Sequence, residues 1–118
     1  MNHALTYNNK SYGFVSKEER DSAAAAMEHG VKVGDSEGLI EHMIRFNGIP
    51  LDRNIHVFGV KKGYHQVVEY ASTSSTEIAF AAKEILDKRL PNQNIYVITP
   101  YGEVLTPEAI EYLKGVEA

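Results

Sequence analysis

Apolar and polar residues alternate in three pairs of short segments, which is the spacing of half-buried β-strands. The first pair lies on either side of Asn8 and Asn9, and asparagine tolerates the positive φ angles of a tight hairpin turn. Pairing about this turn sets Leu5 opposite Tyr12 on one face of the hairpin. The sequence therefore predicts a β-hairpin over residues 5–15.

Two further hairpins are predicted in the same way. Residues 54–60 and 64–71 are rich in Ile, Val, Phe and Tyr, and the intervening segment 61–63 supplies a glycine where a three-residue hairpin loop needs one. Residues 94–99 are predicted to form a strand, followed by a Pro-Tyr-Gly turn and a short return strand over 103–105.

Between these strand pairs, apolar residues recur at helical spacing and are bracketed by capping residues. Serine stands three residues before glutamate at two of the starts, which is the spacing of a capping box. Glycine or proline follows at the ends and stops each helix. The predicted helices run from Lys17 to His29, ended by Gly30; from Asp35 or Ser36 to Gly48 and Pro50; from Ser74 to about Arg89; and from Thr106 to about Lys114, ended by Gly115.

The predicted order of elements is ββααββαββα. Strands joined by hairpins pair mostly antiparallel, and helices that follow them pack on one face of the sheet. We therefore predict an α+β fold, a two-layer sandwich with helices on one face of an antiparallel sheet. The length of 118 residues and the absence of a biased linker predict a single domain over residues 1–118.

Composition and charge narrow the function classes. The chain has 12 Lys+Arg against 16 Asp+Glu and a net charge of −4, so it lacks the basic character typical of nucleic-acid binders. It has no cysteine, which excludes disulfides, thiolate zinc sites and a cysteine nucleophile. No apolar run approaches the roughly 20 residues that span a bilayer, and the start lacks the order of a secretory signal. We expect a cytoplasmic protein without a membrane segment.

Motifs with a dedicated chemistry are missing from the sequence. It contains no HExxH zinc motif, no phosphate-binding glycine loop and no Gly-x-Ser-x-Gly elbow. No cofactor and no catalytic residue is therefore predicted. Helix capping accounts for the serines near residue 75.

One histidine pair still forms a candidate ligand or metal site, because His56 and His65 lie on partner strands of the second hairpin with Glu69 nearby. The three-residue loop predicted above puts His65 and Glu69 on one face and His56 on the other. A two-residue loop would instead put all three side chains on one face. The register of this hairpin decides between the two arrangements.

The third helix suggests a protein-binding surface. At about 100° per residue, Ile78, Ala79, Ala82, Ile85 and Leu86 share one side. Phe80 falls almost opposite, among polar residues, and is predicted to be exposed for a partner. Exposed side chains at hairpin turns extend the predicted binding set to Lys61, Lys62, Tyr64 and Tyr101.

The function that the sequence favours is binding: a small, non-enzymatic interaction module that binds another protein or itself. Such a module would be an adaptor, an inhibitor or a regulatory subunit. The alternative is a small-ligand or metal-binding protein or enzyme that uses His56, His65 and Glu69. A further alternative is nucleic-acid binding through the Lys61-Lys62 hairpin tip, which the net charge disfavours.

Overall fold

The computed structural model describes residues 2–117, including the side chains of all these residues except 107, 113, 114, 116 and 117. It has helices and two small antiparallel sheets, so the predicted α+β class is confirmed. The strands are β1 (Ala4–Tyr7), β2 (Lys10–Gly13), β3 (Ile49–Pro50), β4 (Ile55–Lys61), β5 (Val67–Thr73) and β6 (Gln93–Ile98). The helices are α1 (Lys17–Val33), α2 (Glu37–Asn47), α3 (Thr76–Arg89) and α4 (Pro107–Glu117).

The first sheet has the order β1-β2-β3 and contains the first predicted hairpin. Asn8 and Asn9 have φ angles of 51° and 64°, and Leu5 pairs with Tyr12 as predicted. The two-residue strand β3 was not predicted, because Pro50 reads as a helix stop in the sequence. It pairs with Tyr12 at the sheet edge, where a residue without a backbone N–H is tolerated.

The second sheet has the order β5-β4-β6, and both of its pairings are antiparallel. The second hairpin forms, but its register differs from both predicted alternatives. Val60 and Val67 are the last residues that pair β4 with β5, so the hairpin loop spans the six residues 61–66, of which Lys61 still pairs with Gln93 of β6. A β-bulge between Val57 and Phe58 then shifts the rest of β5 by one residue.

The predicted end of α1 at Gly30 is wrong, because the helix continues to Val33. The helix ends at Gly34, which has a φ of 80° and a backbone N–H bonded to the carbonyls of Gly30 and Val31. Gly30 is buried instead at the crossing with α2, where an added Cβ would lie 2.8 Å from Ile40 Cγ1.

The remaining boundaries hold within a few residues. Ser36 caps α2, one of the two predicted positions, whereas Ser75 rather than Ser74 caps α3. Helix α4 passes through Gly115 instead of ending there. The third predicted hairpin is reduced to a single bridge, in which Val104 pairs with Ile98.

Three apolar clusters hold these elements together. The helix-side cluster lies between the second sheet and α3 and α4: Val57, Ala79, Phe80, Ile95, Val97 and Ile110. The hairpin cluster lies between the first sheet and α1 and α2: Tyr12, Phe14, Ala23, Ile40 and Ile44. The junction cluster joins β3 to the other face of the second sheet: Ile49, Phe58, Val60 and Ile98.

The predicted exposure of Phe80 is wrong, because this side chain is only 3% exposed and lies in the helix-side cluster. Helix α3 is rotated by roughly 70° from the predicted orientation, at about 100° per residue. Ile78 and Ile85 are consequently exposed. The helix has apolar residues on most sides, and burying the large aromatic ring together with Leu86 determines which side faces the sheet.

Within residues 2–117, no helix combines the length and the apolar character that crossing a membrane requires.

Candidate functional site

A cleft of about 600 Å³ opens between α1, α2 and the loop over residues 61–66. This volume falls within the range of small-molecule sites. Its apolar lining consists of Ala23, Ala26, Met43 and Phe46. Its polar lining consists of Glu18, Glu19, Ser22, His42, Asn47 and His65.

The alanine run of α1 explains why this space is open. Alanine gives high helix propensity with little side-chain volume, so a helix can form here without filling the cleft. Ala23 packs into the hairpin cluster with Ile40 and Ile44, and Ala26 faces the cleft. Close approach of the two helices therefore leaves a hollow beside their contact.

Glu19 has a hydrogen-bond partner at each oxygen of its carboxylate. The buried Asn47, only 6% exposed, donates from Nδ2 to the Glu19 carbonyl oxygen at 3.1 Å and to Oε2 at 2.8 Å. The other carboxylate oxygen, Oε1, lies 2.6 Å from Nδ1 of His65. Both oxygens of the carboxylate thus have nitrogen partners, one from α2 and one from the loop.

The loop that carries His65 is exposed along its length, over residues 61–66. It turns at Gly63, which has a φ of 86°, and the Tyr64 N–H donates to the Lys61 carbonyl at 2.9 Å. The Lys62 N–H donates to the carbonyl of Asn92 at 2.9 Å, which holds the start of the loop near β6. Past the turn, the loop brings His65 across to the first turns of α1.

The bulge in the second hairpin gives the predicted histidine site a different composition. Phe58 pairs with Glu69, so His56, two residues before Phe58, lies on the same face as Glu69. His56 is buried, with Nδ1 bonded to the Glu69 carboxylate and Nε2 lying 2.7 Å from Asp52 Oδ1. His65 is not part of this group, so the structure brings together His56 and Glu69 but places His65 at the cleft.

Asp52 is ionised more readily than an ordinary aspartate. Desolvation by burial raises the pKa of Asp52. The hydrogen bonds from the Asn54 N–H and the His56 ring lower it by more than burial raises it, so the net effect is a lowered pKa. The Asn54 N–H donates to Oδ1 at 2.8 Å. Glu69, His56 and Asp52 thus form a chain of carboxylate, imidazole and carboxylate.

This chain is poorly suited to proton transfer with a substrate. A histidine base needs one ring nitrogen free to face the reacting group, whereas both nitrogens of His56 face carboxylates. Among the described residues, no group of three or more His, Cys, Asp or Glu side chains is arranged to hold a metal ion. His56, Glu69 and Asp52 instead connect β4 with β5 and with the segment before β4.

The other predicted binding residues, Phe80 apart, are accessible. Lys61, Lys62 and Tyr64 are exposed on the loop, and Nζ of Lys61 lies 5.0 Å from the centre of the Tyr64 ring, within cation–π range. Tyr101 is 81% exposed at its turn. Phe80 is buried and presents no surface to a partner.

A second cavity, of about 510 Å³, lies beside β6 and α3 and is lined by both polar and apolar residues. Lys62 and Lys83 contribute the cationic groups, and Nζ of Lys83 is bonded to Asp87 at 2.8 Å. The charge of Lys83 is therefore already compensated within α3.

Comparison with known protein families, with curated proteins and with solved structures finds no match to this chain. The assignment of a site therefore rests on the geometry described above. Glu19, Asn47 and the cleft itself were missed in the sequence, although the run of four alanines was a signal of close helix packing.

Proposed function

We propose that this chain is a small binding protein whose site is the cleft between α1 and α2, and that the cleft holds a small organic ligand with an apolar body. One observation carries the proposal: a cavity of about 600 Å³ with an apolar lining also contains a carboxylate that a buried asparagine holds in place. Such a combination of apolar walls and a few fixed polar groups is typical of ligand sites.

Binding is favoured over catalysis by the arrangement of the histidines. His56 is buried between two carboxylates and faces neither cavity. His65 reaches the cleft but uses Nδ1 on Glu19. We therefore propose a non-enzymatic protein, as the sequence led us to expect, but one that binds a small molecule and not a partner protein. The cytoplasm is the proposed compartment.

A matched pair of substitutions in α1 tests the cleft. Ala26→Met would place a flexible apolar side chain in the cleft, whereas Ala25→Met adds the same side chain at an exposed neighbouring position. Ligand-observed NMR with a library of aromatic and alkyl fragments should detect fragments that bind the wild type and Ala25→Met. Binding of these fragments should be lost or strongly weakened in Ala26→Met.

Two results would contradict the proposal. One is a library from which no fragment binds the wild type in the cleft, as mapped by shifts of the Met43 methyl and Ala26 amide signals. The other is fragment binding that is equal in Ala26→Met and Ala25→Met, since the ligand site would then lie elsewhere.

A second candidate function is protein binding through the loop tip, favoured by the exposed Lys61, Lys62 and Tyr64 and by the exposed Tyr101. Charge reversal of Lys61 and Lys62 to Glu should abolish capture of a stoichiometric partner, or self-association in sedimentation equilibrium. The same reversal at the exposed Lys88 and Arg89 is the matched control. Equal loss in both double variants, or no loss in either, would count against this surface.

A further inference from the structure

The geometry of the cleft points to a ligand class. We propose that the ligand carries a protonated amine on its apolar body, that the amine binds Oε1 of Glu19, and that His65 occupies this place when the ligand is absent. The inference rests on the proposed function, because it concerns the same cleft.

The first step is the fixed orientation of Glu19. The side-chain amide of Asn47 donates to Oε2 of Glu19 and to the backbone carbonyl of Glu19. Asn47 is itself buried at the end of α2. A carboxylate fixed through one oxygen presents the other in a constant direction. Oε1 is therefore a preorganised acceptor that a ligand can use without first ordering the side chain.

Oε1 of Glu19 already has a partner, the imidazole ring of His65. Nδ1 of His65 lies 2.6 Å from it, which shows that a nitrogen donor entering from the loop side fits this position. The His65 side chain is 72% exposed, so most of its surface still faces water. A loop side chain with so little burial can be displaced by a ligand that makes the same contact and also fills the cleft.

The third step is the charge of the lining. Of the described residues, Glu18 and Glu19 are the carboxylates of the lining, His42 and His65 are its imidazoles, and no lysine or arginine lines the cleft. Within the described residues, Glu18 takes part in no ion pair, since the nearby Lys17 and Arg20 both pair with Asp21. An anionic ligand would meet two carboxylates here. A neutral ligand that displaced His65 would leave Oε1 partly desolvated with no charged donor.

Three probes with one body and different ends test the ligand class. 4-Phenylbutylamine, 4-phenylbutan-1-ol and 5-phenylpentanoate share the same phenylbutyl group and differ in charge. Titration of each into the wild-type protein, followed by NMR shifts of the Ala26 and Asn47 signals, should give the tightest binding for the amine. We expect a preference over the alcohol of about tenfold, the size of a charge-assisted hydrogen bond.

Two variants identify the atoms involved. In Glu19→Gln the affinity for the amine should fall to about the affinity for the alcohol, because the acceptor keeps its shape and loses its charge. His65→Ala should bind the amine several times more tightly than the wild type, because the competing side chain is gone. His65 is exposed, so this variant is expected to fold even if Glu19→Gln does not.

The outcomes separate the ligand class from the cleft. If the alcohol or the carboxylate binds as tightly as the amine, or Glu19→Gln keeps the preference, the ligand class is wrong and the cleft remains the site. If His65→Ala weakens amine binding, His65 is a ligand contact and the displacement is wrong. If none of the probes shifts signals of the cleft, and the fragment library also fails, the proposed function itself is overturned.

Discussion

A single phenol connects the first hairpin to α2. Tyr12 is buried, and its hydroxyl donates to Oε1 of Glu41 at 2.8 Å, while Nζ of Lys10 donates to the same oxygen at 2.7 Å. Desolvation by burial and the bond to Glu41 together raise the pKa of Tyr12 to about 12. The bonds from Lys10 and Tyr12 in turn lower the pKa of Glu41.

The raised pKa of Tyr12 predicts a loss of stability in alkaline solution. The unfolded chain releases this proton near the ordinary value of 10.0 and the folded chain only near 12, so the contribution is complete below 10.0 and is lost as the pH rises toward 12. Urea unfolding measured across this range should show the decline. Spectrophotometric titration should show a tyrosine that titrates near pH 12.

The matched variants are Tyr12→Phe and Tyr101→Phe. Tyr12→Phe should lower the free energy of unfolding at neutral pH by about 1 kcal/mol, because the hydroxyl's bond to the Glu41 carboxylate is lost. It should also remove the late titration. Tyr101 is exposed, so its loss should alter neither property. Burial also raises the pKa of Tyr7, so only a phenol that still titrates near pH 12 in Tyr12→Phe would show that another tyrosine carries this shift.

At the scale of the element, sequence patterns correctly predicted the features that neighbouring residues determine, such as turns and helix caps. The turn at Asn8 and Asn9 and the start of α1 after Ser16 follow from neighbouring residues and were correctly placed, and Ser36 was one of two positions predicted to cap α2. The end of α1 was misplaced because the sequence cannot show whether a glycine serves a turn or a helix crossing. Gly30 serves the crossing, and this depends on Ile40, which lies ten residues further along in α2.

Two glycine substitutions test the crossing. Gly30→Ala should be destabilising in spite of alanine's higher helix propensity, because the new methyl group would lie 2.8 Å from Ile40 Cγ1. Gly38→Ala in the first turn of α2 meets nothing within 4 Å and should stabilise the fold by up to about 1 kcal/mol. Thermal unfolding of both variants is the measurement. Equal stabilisation by both would mean that the helices are not in close contact at Gly30.

The orientation of α3 gives a second prediction for an element. Phe80→Ala should cost about 3 to 5 kcal/mol, the usual range for a buried phenylalanine. Ile85→Ala, at a position that is 52% exposed, should cost less than about 1 kcal/mol. Chemical denaturation of both variants decides the point. The reverse order would restore the orientation that the sequence suggested, with Phe80 facing solvent.

At the scale of the whole molecule, the sequence could not specify how the elements meet. The cleft is assembled from α1, α2 and a loop more than 40 residues away from Glu19 along the chain, as the contact with His65 shows. The bulge that sets Glu69 beside His56 likewise has no signal in the sequence pattern that predicted the hairpin. Element types are a local property, whereas sites formed by distant segments are not.

The single-domain prediction can be tested through the junction cluster, which links the first sheet to the second. Ile98 is fully buried there, and a Cβ on Gly13 would collide with it. We expect one unfolding transition, with coincident curves from circular dichroism and from amide exchange in both sheets. Ile98→Ala should lower the stability of both sheets together, by about 2 to 5 kcal/mol. Separate transitions would mean two independent units.

The hollow beside Ala26 exists because a side chain is small, and this has a consequence for any related chain found in future. A cleft made by missing side-chain volume can close by a single codon change that leaves the helix intact. Homologues with Leu, Met or Phe at this position would keep the fold and lose the chamber. The residue aligned with Ala26 would then separate homologues that keep the cleft from homologues that have lost it.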